Sequence, residues 1–134
     1  MTDKELVLLA EKARKNAYTP YSNFKVGAAL LAKSGKVYLG CNIENASYTP
    51  TNCAERTAFF KAVSEGDLQF EKIAVVGGSG EEPNEFCAPC GVCRQVMAEF
   101  CNDDFVILLG NSSAYKSFKL KEILPYSFGP TDLK

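Results

Sequence analysis

The sequence predicts an α/β fold in which helices cover a central mixed sheet. Segments with helical periodicity alternate with short apolar runs, and two of those runs, Ile73–Val76 and Phe105–Leu109, read as buried strands. The chain has 134 residues, the size of one ordinary domain, and no repeat, linker or low-complexity tract divides it. A single domain spanning 1–134 is expected.

Taken in order, Thr2 with Glu5 three residues on reads as a capping box. It opens a helix with Leu6, Leu9, Ala10, Ala13 and Ala17 on one face. Pro20 ends that region. Phe24–Ala32 is apolar and small, Ser34-Gly35 turns the chain, and Val37–Asn42 follows, the pattern of a hairpin. Ile43–Thr51 has little periodicity and reads as a loop. Cys53–Glu65 is helical and stops at Gly66. Ile73–Val76 runs into Gly77-Gly78 and a loop carrying Glu81, Glu82, Pro83 and Glu85. Pro89 precedes a second helical stretch, Gly91–Phe100, and Gly110-Asn111 closes the strand Phe105–Leu109. A short amphipathic piece, Ile123-Leu124-Pro125 and a Gly- and Pro-containing tail complete the chain. The order is helix, hairpin, helix, strand, helix, strand.

Composition narrows the partners. Fifteen Lys and Arg stand against 16 Asp and Glu, for a net charge of −1. No basic run offers a footprint for nucleic acid or a membrane surface, so a small neutral molecule is the expected partner. The N-terminus has no basic-then-apolar leader, and no apolar run approaches the roughly 20 residues of a membrane span. A cytoplasmic protein is expected. There the six cysteines are better read as metal ligands or buried thiols than as three disulfides. With no histidine in the chain, a metal site must be built from Cys, Asp or Glu.

Three cysteines fall where elements change. Cys53 begins one predicted helix, and Cys90 and Cys93 begin another. Helix N-termini stabilise thiolates, and the two-residue gap lets Cys90 and Cys93 reach one ion from a single turn. Three protein ligands leave the fourth tetrahedral position open, as in catalytic zinc. Glu55, two residues after Cys53, is placed to shuttle protons without ligating the metal. Asn52 with Glu55 also fits a capping box, which is the plainer alternative for that glutamate. Cys87 is spaced evenly with Cys90 and Cys93, but Val96, Met97 and Ala98 stand where a ferredoxin would place its fourth cysteine, which argues against an iron–sulfur cluster. A closed structural zinc on Cys53, Cys87, Cys90 and Cys93 stays open. Cys41 and Cys101 read as buried thiols.

Cys53-Ala54-Glu55 together with Pro89-Cys90-Gly91-Val92-Cys93 resembles the zinc nucleoside and base deaminases in their three-cysteine form. Within that group the chain is similar to the small homotetrameric cytidine deaminases. Tyr21-Ser22-x-Phe24-x-Val26-Gly27-Ala28-Ala29, Asn42-Ile43-Glu44-Asn45-Ala46-Ser47-Tyr48 and Leu124-Pro125-x-x-Phe128-Gly129-Pro130 carry the likeness almost end to end. The resemblance implies a three-layer α-β-α sandwich with a central mixed five-stranded sheet. It implies a homotetramer with sites at subunit interfaces, one zinc per chain on Cys53, Cys90 and Cys93, and Glu55 as proton shuttle. It also implies that Asn42 and Glu44 bind the ribose, that Phe24 packs on the base beside Ala54, and that Phe128 reaches a neighbouring subunit's site. The implied reaction is attack of zinc-activated water at C4 of cytidine or 2′-deoxycytidine, with loss of ammonia, in pyrimidine salvage.

Three thiolates on Zn²⁺ sum to −1, and Arg56 with two helix N-termini is the expected offset. Without the resemblance, Phe24 reads as core, Arg56 as a surface helix residue and Asn42 with Glu44 as a solvated turn. Deamination of a free base or of a polynucleotide shares the zinc chemistry. The sugar-binding pair argues against the first and the charge balance against the second. A zinc-ribbon-like interaction module is the alternative from outside enzymology.

Overall fold

Alternation along Lys25–Ala32 sends Ala28 and Leu30 into one core and Ala29 and Leu31 into another, the two-residue period of a strand buried on both faces. The computed structural model describes all 134 residues. Its elements are α1 (Asp3–Arg14), β1 (Lys25–Ala32), β2 (Val37–Cys41), α2 (Ala54–Ser64) and β3 (Phe70–Gly78). Then follow α3 (Gly91–Phe100), β4 (Val106–Gly110), β5 (Tyr115–Lys119) and α4 (Leu120–Ile123). The strands form one five-stranded sheet in the order β2-β1-β3-β4-β5. Only β3 and β4 pair in parallel, so the sheet is mixed. No helix is long and apolar enough to cross a membrane.

On one face, Leu6, Val7 and Ala10 of α1 pack on Ala29, Leu31, Ala74, Val76 and Leu108. On the other, Ala54, Ala58, Phe59 and Ala62 of α2 and Met97 of α3 pack on Ala28, Leu30, Ile73, Val75, Ile107 and Leu109. The three-layer sandwich is therefore present, with α2 and α3 sharing a face. Phe59 is fully buried and meets Phe70 edge-on at 5.1 Å and Phe100 of α3 in a stacked arrangement at 6.3 Å. That aromatic wedge ties α2 to α3.

The predicted N-cap is present. Thr2 Oγ1 accepts from Glu5 N at 3.1 Å, while Glu5 Oε1 accepts from the Thr2 hydroxyl rather than from the Thr2 backbone. The helix stops at Arg14, so Ala17 is buried beyond its end, and Val7 shares the inward face that the periodicity assigned to Leu9. The strand centred on Ile73–Val76 extends in both directions because it pairs with β1 along Phe70–Gly78. β5 has no counterpart among the strands that the residue pattern predicts. It lies at the sheet edge, and of Tyr115–Lys119 only Phe118 is even half-buried, so little apolar alternation marks it.

Close approach of helix to sheet depends on glycine. A Cβ on Gly27 would overlap Ala10 O and the Arg14 backbone N, and one on Gly40 would overlap Ala54 O and lie 2.6 Å from Ala58 N. Gly40 thereby lets α2 settle on β2. Gly40→Ala should lower unfolding stability by about 1–3 kcal/mol, read as a lower urea midpoint at an unchanged slope. Gly80→Ala, where a Cβ meets open space, should stay within about 0.5 kcal/mol. Equal midpoints for the two variants would mean that α2 does not rest on Gly40.

Candidate functional site

Two helices that share a face of the sheet begin on cysteines. Cys53 is the N-cap of α2 and Cys90 the N-cap of α3, and neither helix has a side-chain cap. Their positive ends therefore favour thiolates. Cys93, in the first turn of α3, is buried. The three Sγ atoms lie within 4.8 Å of one another, with Cys53 and Cys90 at 3.8 Å. Tetrahedral zinc with Zn–S distances of about 2.3 Å requires sulfur–sulfur edges of about 3.8 Å. The donor set fits one zinc ion.

The electrostatics fit as well. A hydrogen bond from Cys93, helped by Arg56 and Cys90, draws the Cys53 thiol down to about 5. The same hydrogen bond, together with burial, pushes Cys93 up. A thiolate on Cys53 thus opposes one on Cys93, and a cation between them would offset that opposition. Arg56 Nη2 donates to Cys53 Sγ at 3.3 Å, and that bond raises the Arg56 pKa. Its Nε is buried without a partner. Arg56, expected from sequence to offset thiolate charge, thus contacts Cys53 Sγ.

Glu55 is 4% exposed on the inward side of α2, and burial raises its carboxyl to about 7, with the Cys53 charge adding to the effect. It joins no ion pair. The capping alternative fails here. The N-cap is Cys53, and Asn52 Nδ2 donates to Thr57 Oγ1 at 3.2 Å instead.

Cys87 lies outside the three-thiol group. It sits half-buried against Gly77, where Phe24 Cε1 also approaches, and burial pushes its thiol up to about 11. Cys41 and Cys101 are partly buried, with thiols raised chiefly by burial, and all six cysteines are free.

Phe24, Asn42 and Glu44 form a second group around the segment that leads into β1. Asn42 spans β1, donating from Nδ2 to Phe24 O at 2.8 Å and accepting from Val26 N at 2.9 Å. Glu44 accepts from Tyr21 N at 3.0 Å, Ser22 N at 3.1 Å and the Ser22 hydroxyl, which holds its carboxyl below the usual range. A depression of about 390 Å³ opens beside Glu44, lined by Tyr21, Ser22, Asn45, Tyr48 and Thr51. None of the thiols lines it. Ala54 is buried at the start of α2. Phe128 is not brought to either group. Its backbone O accepts from Gln95 Nε2 at 2.7 Å while its side chain is 59% exposed. The role of Ser22 is not legible in the sequence, since a hydroxyl that holds a carboxylate 22 residues away leaves no local pattern.

The family model for the cytidine and deoxycytidylate deaminase zinc-binding region matches residues 1–109. The chain is 50% identical over 134 residues to a cytidine deaminase of Sporosarcina psychrophila, covering 99% of this chain and 96% of that protein. It is 44% identical over 124 residues to a probable cytidine deaminase of Dictyostelium discoideum, covering 92% and 82%. A crystal structure of cytidine deaminase from Burkholderia pseudomallei superposes with a TM-score of 0.87 at 47% identity, covering 96% of this chain and 100% of that one. The cytidine deaminase of Mycobacterium tuberculosis gives 0.82 at 37%, covering 97% and 100%.

Metal analysis separates an open from a closed site. Purified protein should hold one zinc per chain, Cys90→Ala should lose it or hold it far more weakly, and Cys87→Ala should retain it. Equal zinc loss from the two variants would mean a closed four-cysteine site with no position for substrate water.

Proposed function

Because the chain belongs to the cytidine and deoxycytidylate deaminase family, we propose that it hydrolyses cytidine and 2′-deoxycytidine to uridine and 2′-deoxyuridine, releasing ammonia in pyrimidine salvage. It is a zinc-dependent hydrolase of that family. The observation that carries the reading is a buried, unpaired Glu55 two residues from Cys53, on the helix whose N-terminus bears the thiol cluster. The whole chain, 1–134, works as one deaminase domain. Its free thiols suit the reducing cytoplasm.

Cys53, Cys90 and Cys93 hold the ion, and Arg56 withdraws charge from Cys53 Sγ. When bound, zinc makes water nucleophilic at neutral pH. With zinc held there, Glu55 would accept a proton from the attacking water at its carboxylate and return it to the ring nitrogen N3 as oxygen bonds to C4. It would then carry the proton left on that oxygen to the exocyclic amine, which departs as ammonia while the C4 carbonyl forms. Burial raises the carboxyl above the usual carboxylate range, which favours a group that must take and give a proton in one cycle.

Asn42 and Glu44 bind the ribose. Each end of the Asn42 amide keeps one hydrogen-bonding position beyond its bond to β1. Phe24 and Ala54 flank the base. The assembly is a homotetramer whose sites are shared, and Phe128, anchored through its backbone and exposed at its ring, completes a neighbour's site.

Glu55→Gln should keep zinc and fold while kcat falls about 10²–10⁴-fold or more, followed as loss of cytidine absorbance. Normal turnover would remove Glu55 from the chemistry.

Subunit complementation tests the shared site. Glu55→Gln and Phe128→Ala oligomers should each be nearly inactive, yet unfolding and refolding them together should restore activity. A hybrid can take intact Glu55 from one chain and intact Phe128 from another. Hybrids that form but stay inactive would place Phe128 in its own chain's site.

A further inference from the structure

Arg14, the last residue of α1, is 3% exposed and pairs with no carboxylate. Its guanidinium donates only to main-chain carbonyls. Nε reaches Lys25 O at 3.0 Å, Nη1 reaches Glu81 O at 2.9 Å, and Nη2 reaches Gly78 O at 2.7 Å and also Gly80 O. A buried charge needs compensation, and four main-chain carbonyls supply it here, with the charges of Glu82 and Glu11 nearby adding to it. The planar fork of arginine serves all four acceptors, whereas a lysine ammonium is a single point donor group.

The acceptors come from three segments: the start of β1, the end of β3 and the loop that follows it. Each leads to the site. Lys25 lies between Phe24 and Val26, whose backbone O and N are held by Asn42. Asn42 and Arg14 therefore grip the same three-residue stretch, and Phe24 is its first member. The loop after Gly78 runs on to Cys87, Cys90 and Cys93. Neither Gly80 O nor Glu81 O receives a backbone N–H, so Arg14 is what fixes that part of the loop. Gly77, just before it, lies beside both Phe24 and Cys87.

We propose that Arg14 is a positioning residue that sets the spacing between the base-packing end of β1 and the loop that delivers Cys90 and Cys93. The proposal rests on the deaminase reading above. Arg14 touches neither substrate nor metal. It joins the substrate half of the site to the metal half from the opposite face of the sheet.

The test compares Arg14→Ala, Arg14→Lys and Val7→Ala, the last a core truncation on the same helix, all as zinc-loaded enzyme well below their melting temperatures. The readouts are kcat and KM for cytidine, melting temperature, and the rate of zinc release to excess EDTA. Arg14→Ala should lower kcat/KM about 10- to 100-fold, with KM raised and kcat lowered, as expected for an ångström-scale misplacement. It should also release zinc about tenfold faster. Arg14→Lys should fall between it and the parent. Val7→Ala should melt lower while keeping the parent's KM and zinc-release rate. Guanidinium ion at millimolar concentration should restore part of the kcat/KM of Arg14→Ala by occupying the same carbonyls, and urea at equal concentration should not.

If Arg14→Ala does not fold, Arg14→Lys decides by the same readouts. The proposal is overturned if the Arg14 variants match the parent within about twofold in kcat/KM and zinc release. It is equally overturned if they differ from the parent only in melting temperature, as Val7→Ala does. A parent enzyme inactive on cytidine would instead remove the deaminase reading, and the zinc-release comparison would still judge Arg14.

Discussion

Three sulfur atoms within 4.8 Å of one another repel as soon as more than one is ionised, and much of the chain is arranged around that repulsion. Two helix N-termini converge on the cluster, and a guanidinium donates to the sulfur that ionises first. The remaining deficit is what a divalent cation supplies. A histidine ligand would ease the demand by one charge, but the chain has none. Arg56 is thus part of the price of an all-thiolate site.

The same helix geometry serves two purposes at once. Starting α2 on Cys53 puts Glu55 one turn-fraction further on, turned inward and dry. Its desolvation and its nearness to Cys53 both follow from where α2 begins. Gly40 below and Phe59 against Phe100 set how deeply α2 sits and how it lies beside α3. Packing several residues away from the chemistry therefore fixes the spacing of the sulfurs.

Much of this was legible in the sequence, for local reasons. The bounds of α3, Gly91–Phe100, agree with the reading because Pro89 and Cys90 punctuate its start. The hairpin was legible because Ser34-Gly35 interrupts two apolar runs. The three clustered cysteines stood out by spacing and by position at helix starts. Glu55 was ambiguous, because N-cap chemistry and acid–base chemistry favour the same residue type at that offset. Other features depend on contacts distant in sequence. An edge strand buries too little to show its period, so β5 was not read from its residues. Arginine in the last turn of a helix reads as solvated, so Arg14 gave no sign that its partners lie 11 to 67 residues away. The grip of Asn42 on β1 is likewise invisible until the hairpin closes.

The partners of Arg14 are main-chain carbonyls, which all twenty amino acids possess. The hydrogen bonds that hold the loop consequently ask nothing of side-chain identity at Gly80 and Glu81, as long as its backbone path is kept. Selection there should act on length and tolerate drift in composition, whereas the arginine at position 14 has little freedom to change. One invariant side chain would leave a whole loop open to variation, so divergence among related chains would accumulate beside the active site without disturbing it.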